Sequence, residues 1–259
     1  MSNATIFDKS AVRAHRDRAA GSLGPLQPVL DDLAGRLLDR LDDTKTKFTT
    51  ALDFGGRGTI APTLQARGMQ VISADLSAAM ARIAGGLPVA VDGEALAFGD
   101  KKFDLIIAHL SLHWVNDLPG ALIQLRRALK TDGLFLASMP VLGTLQGLRE
   151  ALLEAEHNLT GAVNPRISPF PDLRDCAGLL QRAGFALPVA DVEEIELLYA
   201  NPLHLLHELR QAGETNAVQA RARTTPPRAL FPAALGQLPQ RDGRAVAHLR
   251  MAVMTGWAS

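Results

Sequence analysis

Residues 51–61, ALDFGGRGTIA, combine an acid with three glycines directly after an apolar segment. The apolar segment ends at Asp53, and Gly55, Gly56 and Gly58 follow before a helical pattern begins near residue 61. Because glycine lacks a Cβ, the backbone of such a turn can approach a ligand closely, and the free N–H groups of the next helix favour negative charge. The turn is therefore a candidate cofactor-binding loop.

The spacing of this turn differs from the usual nucleotide-binding patterns. From Asp53 it reads DxGGxG, where GxGxxG or DxGxGxG is usual, as though one position were missing. Two interpretations stay open, a loop that binds a cofactor and a tight connection between a strand and a helix. Arg57 adds a further alternative, since its guanidinium can pair with a ligand carboxylate or fill the space that the ligand needs.

Two acids follow the turn at positions that suit a nucleotide ligand. Asp75 lies about 20 residues further on, where an acid can accept hydrogen bonds from both hydroxyls of a ribose. Asp92 precedes Gly93 and can accept a hydrogen bond from an adenine amino group. The structural alternatives are an aspartate that stabilises the dipole of the next helix, for Asp75, and a turn residue, for Asp92.

Two histidines follow the apolar run at 103–109 and are candidate catalytic bases. His109 and His113 belong to a residue type whose pKa lies near neutrality, so either can take a proton from an acceptor. The alternative is structural: histidine and Trp114 before a helix cap at Asp117 can simply pack and form hydrogen bonds.

Composition excludes several classes of protein. The 259 residues contain 27 Lys and Arg and 27 Asp and Glu, so no overall basic field predicts binding to nucleic acid. Cys176 is the only cysteine, which excludes an intrachain disulfide and a cysteine-based zinc site and favours a cytoplasmic location. We predict no metal site. No segment has the roughly 20 apolar residues of a membrane-spanning helix, and the segment 2–20 is interpreted as a solvated helix.

Apolar runs and helical patterns alternate along the first half of the chain, which is the rhythm of β-α-β units. The predicted strands are 49–54, 70–74, 89–91, 103–109 and 134–139. The predicted helices between them are 61–67, 78–83 and 117–130. Ligands of such a sheet bind beyond the carboxyl ends of its strands, where the glycine turn, the two acids and the histidines lie.

The second half of the chain is less regular. Helical patterns cover 144–159, 173–183, 201–212 and 228–238, and extended segments cover 186–199 and 246–257. We predict an α/β fold with a doubly wound, mostly parallel seven-stranded sheet and a helical cap. The prediction is a single domain, 1–259, with its core at 48–140, 185–200 and 245–257 and cap insertions at 141–184 and 201–240.

Three segments resemble the class I methyltransferases that use S-adenosylmethionine (SAM). They are the glycine turn with its acids, VDGEALAF at 91–98, and FDLIIAHLSLHWVNDLPGAL at 103–122. The last is similar to the branch that contains the malonyl carrier-protein methyltransferase of the biotin pathway. It also resembles the mitochondrial complex I assembly-factor group, as do SPFPDLRDCAGLLQRAGF at 168–185, GETN at 213–216 and the final TGWAS.

The resemblance implies a cofactor and a set of residues for it. The cofactor is SAM, and the acceptor is a small molecule or a protein. The implied catalytic residues are His109 and His113. The implied cofactor-binding residues are Asp53, Gly55, Gly56, Arg57, Gly58, Asp75, Leu76, Asp92, Gly93 and His109.

Three functions remain open from the sequence. The first is a SAM-dependent methyltransferase of unknown acceptor. The second is a complex I assembly factor and peptide-arginine hydroxylase, acting on a respiratory complex I subunit, as the mitochondrial group implies. The third is a divergent non-catalytic paralogue without SAM binding, because the glycine turn is short and Val141, Leu142 and Gly143 stand where the assembly-factor group tends to carry Gly-Gly-Asp.

Overall fold

A central sheet with helices on both faces organises the chain, which a computed structural model describes for residues 5–259. The strands in chain order are β1 (Thr50–Phe54), β2 (Gln70–Asp75), β3 (Leu87–Ala90), β4 (Phe103–His109), β5 (Leu129–Pro140), β6 (Ala186–Tyr199), β7 (Gln240–Arg241) and β8 (Arg244–Trp257). The α-helices are α1 (Lys9–Ala19), α2 (Gln27–Asp42), α3 (Ile60–Ala66), α4 (Ala78–Ile83), α5 (Leu118–Ala128), α6 (Gln146–Thr160), α7 (Leu173–Arg182), α8 (Leu203–Gln211) and α9 (Leu230–Gly236).

The strand order confirms the predicted doubly wound fold. It reads β3-β2-β1-β4-β5-β8-β6, with the short β7 paired to β8. Strands β1 to β5 are parallel, and β8 runs antiparallel to β5, β6 and β7. The chain winds outward in opposite directions from β1 and β4, so the crevice for a ligand lies at the carboxyl ends of these two strands.

Strand β4 shows why the apolar runs become central strands. Only Asp104 of its seven residues is not buried. Leu105 and Ile107 pack with α2 and α3 on one face, while Ile106 packs with α5 and α7 on the other. Because successive side chains point to opposite faces, a strand covered on both sides must be apolar throughout.

The helices of the second half divide between two clusters. Helix α7 lies in the predicted cap insertion 141–184, yet its Cys176 and Leu180 belong to the main core under the sheet. Helices α6, α8 and α9 form a separate apolar cluster with Leu148, Leu205 and Leu230. The interval 141–184 therefore includes one helix that covers the sheet, and the division into core and cap stays a prediction.

Helix α1 lies over the carboxyl ends of the strands and is not the solvated helix that the sequence predicted. Val12, Arg16 and Ala19 are buried on its inner face. Before the helix, Phe7 pairs with Val218 and packs edge-on against the Trp114 ring. This helix therefore forms one wall of the site. No helix within residues 5–259 is long and apolar enough to cross a membrane.

Candidate functional site

The glycine turn is held closely by its own surroundings. Gly55 has a φ of +83°, and a Cβ added there would lie 2.3 Å from the Cβ of Ser111. A Cβ on Gly56 would lie 1.9 Å from Oδ2 of Asp53, and Gly58 has a φ of +96°. Larger residues therefore do not fit where the chain turns after β1, between the buried Asp53 and the loop that follows β4. This close packing agrees with the interpretation of the turn as a tight connection between a strand and a helix.

Asp75 at the end of β2 is paired with an arginine of helix α1. Nε of Arg16 donates to both carboxylate oxygens of Asp75 at 2.9 Å, and Nη2 also contacts this carboxylate. The same Nη2 donates to the carbonyl oxygen of Gly55 at 3.3 Å. The side chains are only 3% and 2% exposed, so the pair is removed from water.

Arg16 had no role assigned from the sequence, although one signal was present. Arg16 lies four residues after Val12 and three before Ala19, which is the spacing of one helical face. A cation on an otherwise apolar face is one that needs a buried partner.

Asp92 is also contacted by helix α1. Nζ of Lys9 lies 2.9 Å from Asp92 and 2.7 Å from Glu94, and the N–H of Glu94 donates to Asp92 at 2.9 Å. Burial opposes ionisation, but the Glu94 N–H and Lys9 hold the pKa of Asp92 below its usual value. Helix α1 thus supplies one cation to each of the two predicted ligand acids.

Arg57 contacts Glu214, in the segment between α8 and α9. Its Nη1 donates to the Ala212 carbonyl at 2.5 Å, its Nη2 donates to the Leu110 carbonyl at 3.2 Å, and Nη2 also pairs with Glu214. Glu214 further accepts from Nε1 of Trp114 at 2.9 Å and lies 2.8 Å from Nε2 of His113. Burial alone would raise the pKa of Glu214, but the charges of His113 and Arg57 hold it well below its usual range.

Glu214 is the second residue of this site without a role assigned from the sequence. Its sequence signal was the GETN motif at 213–216. This motif resembles the assembly-factor group, but no chemical role was predicted for its residues. One acid here joins a predicted cofactor residue, Arg57, to a predicted base, His113. The contact spans 157 positions for Arg57 and 101 for His113, so local sequence pattern does not reveal it.

His109 lies at the end of β4 in a buried setting. Its Nδ1 is 2.7 Å from Oγ of Ser138 on β5. Burial, with the nearby charges of Arg57 and Arg16, lowers the pKa of His109 to about 3. The imidazole is therefore neutral at physiological pH and a weak proton acceptor.

Six residues of the described chain hold every buried side-chain nitrogen or oxygen atom that has no hydrogen-bond partner. They are His15, Arg16, Asp53, Arg57, His109 and His113. Glu214 influences the pKa of His15, Arg16, Arg57 and His109, so these groups share one electrostatic environment. Unpartnered buried polar atoms are rare in folded proteins, and such a cluster is typical of a functional site.

Asp53 is the most unusual member of this cluster. It is fully buried, and neither carboxylate oxygen has a hydrogen bond of normal geometry, although the Ala61 N–H and the Ser73 hydroxyl face it. Burial, with the negative charge of Asp75, raises the pKa of Asp53 to about 8. The carboxyl is therefore largely protonated at neutral pH.

Two cavities meet at Trp114. The smaller has a volume of about 40 Å³ and is lined by five of the predicted cofactor residues. Those five are Gly55, Asp75, Leu76, Asp92 and Gly93. The larger has a volume of about 540 Å³ and is lined by Arg57 and His113 among many apolar residues. The lining of these cavities does not include Asp53, Gly56, Gly58 or His109.

The groups that line the small cavity suit an adenosyl group. The volume of the cavity is too small for this group as long as Arg16 is paired with Asp75. Acids at the ends of β2 and β3 provide hydrogen-bond acceptors, and Phe54, Leu76 and Val115 provide apolar walls. This combination suits the hydroxyls of a ribose and the ring and amino group of an adenine. A volume of 40 Å³ holds only a few waters, at about 10–15 Å³ each. An adenosyl ligand therefore needs the Arg16 guanidinium to move.

The strand order and the site at the ends of β1, β2 and β4 define the Rossmann-like class I methyltransferase fold. A family model described as a methyltransferase domain matches residues 26–188, and the chain belongs to this SAM-dependent family. The YcgJ protein of Bacillus subtilis has the same fold, with a TM-score of 0.58 and 16% identity, covering 86% of this chain and 98% of that one.

Two curated relatives are similar over most of the chain. The protein named "Arginine-hydroxylase NDUFAF5, mitochondrial" of Danio rerio is 33% identical, over 97% of this chain and 82% of its own length. The malonyl-[acyl-carrier protein] O-methyltransferase of Methylovorus sp. (strain MP688) is 32% identical, over 85% of this chain and 78% of its own. The chain spans less than two thirds of the mammalian relatives that share the zebrafish protein's name. The predicted resemblance to this branch is confirmed.

Proposed function

We propose that the protein is a SAM-dependent methyltransferase. One observation carries the proposal. The ends of β1, β2 and β3 bring Gly55, Asp75 and Asp92 to a single small cavity, and this cavity adjoins a much larger one at Trp114. A cofactor site beside a separate acceptor space is the arrangement that group transfer needs, because the reaction depends on placing two molecules in contact.

The residues of the small cavity have distinct roles in this proposal. Asp75 accepts hydrogen bonds from the ribose hydroxyls in place of Arg16, and Asp92 accepts from the adenine amino group. Leu76 and Val115 provide apolar walls for the base. When bound, SAM supplies an electrophilic methyl group on its sulfonium sulfur. Helix α1 covers the ligand and excludes water, since it already lies over both acids.

The two histidines differ in their suitability as bases. The lowered pKa of His109 makes it a poor proton acceptor, and its contact with Ser138 favours a positioning role. Nε2 of His113 lies 2.8 Å from Glu214, which orients the ring, and its Nδ1 has no hydrogen-bond partner in the described chain, so this nitrogen is free to accept a proton. We therefore assign proton removal to His113 and keep His109 as a residue that shapes the pocket.

Calorimetry with SAM and S-adenosylhomocysteine tests this proposal. We expect heat of binding with the wild-type protein and at least a tenfold loss of affinity in Asp75→Asn, because one charge-assisted hydrogen bond contributes about 1.5–3 kcal/mol. Asp39→Asn, which changes an exposed acid of α2, is the matched control and should bind as the wild type does. Absence of heat from the wild-type protein at millimolar ligand would reject the proposal and favour a non-catalytic paralogue.

A second candidate is a peptide-arginine hydroxylase that acts on a subunit of respiratory complex I. It is supported by the relative named as an arginine hydroxylase, which aligns with 97% of the chain. Mass spectrometry of a complex I subunit incubated with the protein separates the two functions, since hydroxylation adds the mass of one oxygen atom and methylation adds that of a methylene group.

The single buried cysteine supports the cytoplasm as the expected compartment.

A further inference from the structure

The proposed cofactor site occupies the small cavity and leaves the larger cavity free for another ligand. Its volume of about 540 Å³ lies within the range of about 300–1,000 Å³ that small-molecule sites occupy. It lies between α2, α6, α8, the end of β6 and the middle of β8. Its apolar lining includes Val29, Leu33, Leu148, Leu206, Leu249 and Met251.

Most polar groups in the wall of this cavity are already paired with the protein. The Tyr199 hydroxyl donates to Glu208 at 2.6 Å, and Arg166 pairs with Glu156. The Asn216 side-chain amide donates to the Pro165 carbonyl at 2.7 Å. Because these groups are satisfied internally, what the wall offers to a ligand is apolar surface.

Glu214 lines the larger cavity and accepts from Trp114, which lines both cavities. Its side chain is 19% exposed, whereas those of Arg57 and His113 are 1% and 2% exposed. It already accepts from three protein groups, on Arg57, His113 and Trp114. A carboxylate has about four acceptor positions, so one remains for a ligand that donates a hydrogen bond.

We propose that this cavity binds a molecule with an extended apolar body and one hydroxyl head, which donates its hydrogen bond to Glu214. The apolar body fills the space between α2, α6 and α8, and the head lies beside Trp114, next to the small cavity. An anionic head is disfavoured, because Glu214 is itself held in its charged form. That this ligand is the methyl acceptor rests on the proposed function, whereas its binding does not.

Calorimetry with decan-1-ol, in the absence of SAM, tests the binding. We expect saturable binding of decan-1-ol and about tenfold weaker binding of 1-methoxydecane, because the ether cannot donate to Glu214 and one hydrogen bond is lost. Decanoate should bind more weakly than the alcohol by a similar factor. These comparisons use the wild-type protein and do not depend on the folding of a variant.

A cavity-filling variant locates the ligand. Leu206→Trp places a larger side chain in the wall of the cavity and should weaken decan-1-ol binding at least tenfold. Leu153→Trp makes the same change on α6 at a position that is 37% exposed and outside the lining, and it should bind within twofold of the wild type.

The outcomes separate this inference from the proposed function. Heat with S-adenosylhomocysteine but none with decan-1-ol overturns the inference alone. Heat with decan-1-ol but none with S-adenosylhomocysteine supports the inference and rejects the methyltransferase. Equal binding of alcohol and ether, or unchanged binding in a folded Leu206→Trp, overturns the inference.

Discussion

Arg16 and Asp75 form a buried ion pair whose two members depend on each other. Both side chains are nearly inaccessible to water, and Nε of Arg16 bridges both oxygens of Asp75. Taking two charges out of water is costly, and their attraction offsets this cost only while both are present. The pair therefore contributes little net stability, whereas loss of one member leaves an uncompensated charge.

Arg16→Met should lower the free energy of unfolding by about 3–5 kcal/mol, because Asp75 then lies buried without its partner. The double variant with Asp75→Asn should be less destabilised than the sum of the two single variants. Urea denaturation measures all three. Arg36→Met breaks the solvent-accessible pairs with Asp32 and Glu193 and should cost only about 0–1 kcal/mol for each. Additive effects of the two buried substitutions would contradict this account.

Asp53 should make the stability of the protein fall as pH rises. Its folded pKa of about 8 lies above its ordinary value of 3.8. Between these values the unfolded chain releases a proton that the folded chain keeps. The free energy of unfolding therefore loses up to about 1.4 kcal/mol per pH unit. Asp53→Asn lacks this contribution. Its free energy of unfolding, relative to that of the wild type, should therefore increase as the pH rises from about 5 to about 8, and denaturation at each pH measures this difference.

The matched control for that measurement is Asp39→Asn, which changes an exposed acid on α2. Its unfolding free energy should remain parallel to that of the wild type at every pH. If the Asp53→Asn curve were parallel as well, the buried carboxyl would not be protonated in the folded state.

At the scale of elements, helix α5 illustrates a local signal that sequence alone reveals. Asp117 was predicted to cap this helix, and its side chain accepts from the Gly120 N–H at 3.0 Å, which confirms the cap. Asp117→Ala should cost about 1 kcal/mol of unfolding free energy through loss of this bond. Thermal or urea denaturation measures it, with Asp39→Ala expected within about 0.5 kcal/mol of the wild type.

In the proposed function, Arg16 of helix α1 competes with a ribose for Asp75, and this competition leads to a distinct prediction. If a ligand must displace Arg16 from Asp75, then Arg16→Met should bind S-adenosylhomocysteine about tenfold more tightly than the wild type, once the folded fraction of each is matched. Arg18→Met changes an arginine on the outer side of α1 and should leave the affinity unchanged. Weaker binding by Arg16→Met would mean instead that Arg16 itself contacts the ligand.

The elements and the site were not equally predictable from the sequence. The predicted bounds of β4, 103–109, coincide with those observed, because a strand covered on both faces is apolar throughout and its signal is local. Asp75 was placed correctly at the end of β2 for the same reason. Its partner Arg16 was missed, because the two lie 59 positions apart and only the folded chain brings them together.

At the scale of the whole molecule, ligand binding and stability are linked. A ligand that binds only the folded chain adds about 2.7 kcal/mol at a concentration one hundred times its Kd. S-adenosylhomocysteine should therefore raise the midpoint of thermal unfolding in proportion to the logarithm of its concentration. Asp75→Asn should show at most about half of this stabilisation at the same ligand concentration, because its affinity is at least tenfold weaker. A midpoint that does not respond to the ligand in the wild-type protein would indicate a chain that keeps the fold without the cofactor.

The contacts of helix α1 with distant parts of the chain also affect when this wall of the site is completed during synthesis. The N–H of Asp8 donates to the Ala217 carbonyl at 2.8 Å, and the Asp8 carboxylate lies 2.9 Å from Nη2 of Arg221. Part of the surface on which α1 docks is therefore synthesised more than two hundred residues after Asp8. A nascent chain halted before that point would lack the contacts of Asp8 with Ala217 and Arg221, so only the pairs of Arg16 and Lys9 with the strand-end acids would hold this wall in place.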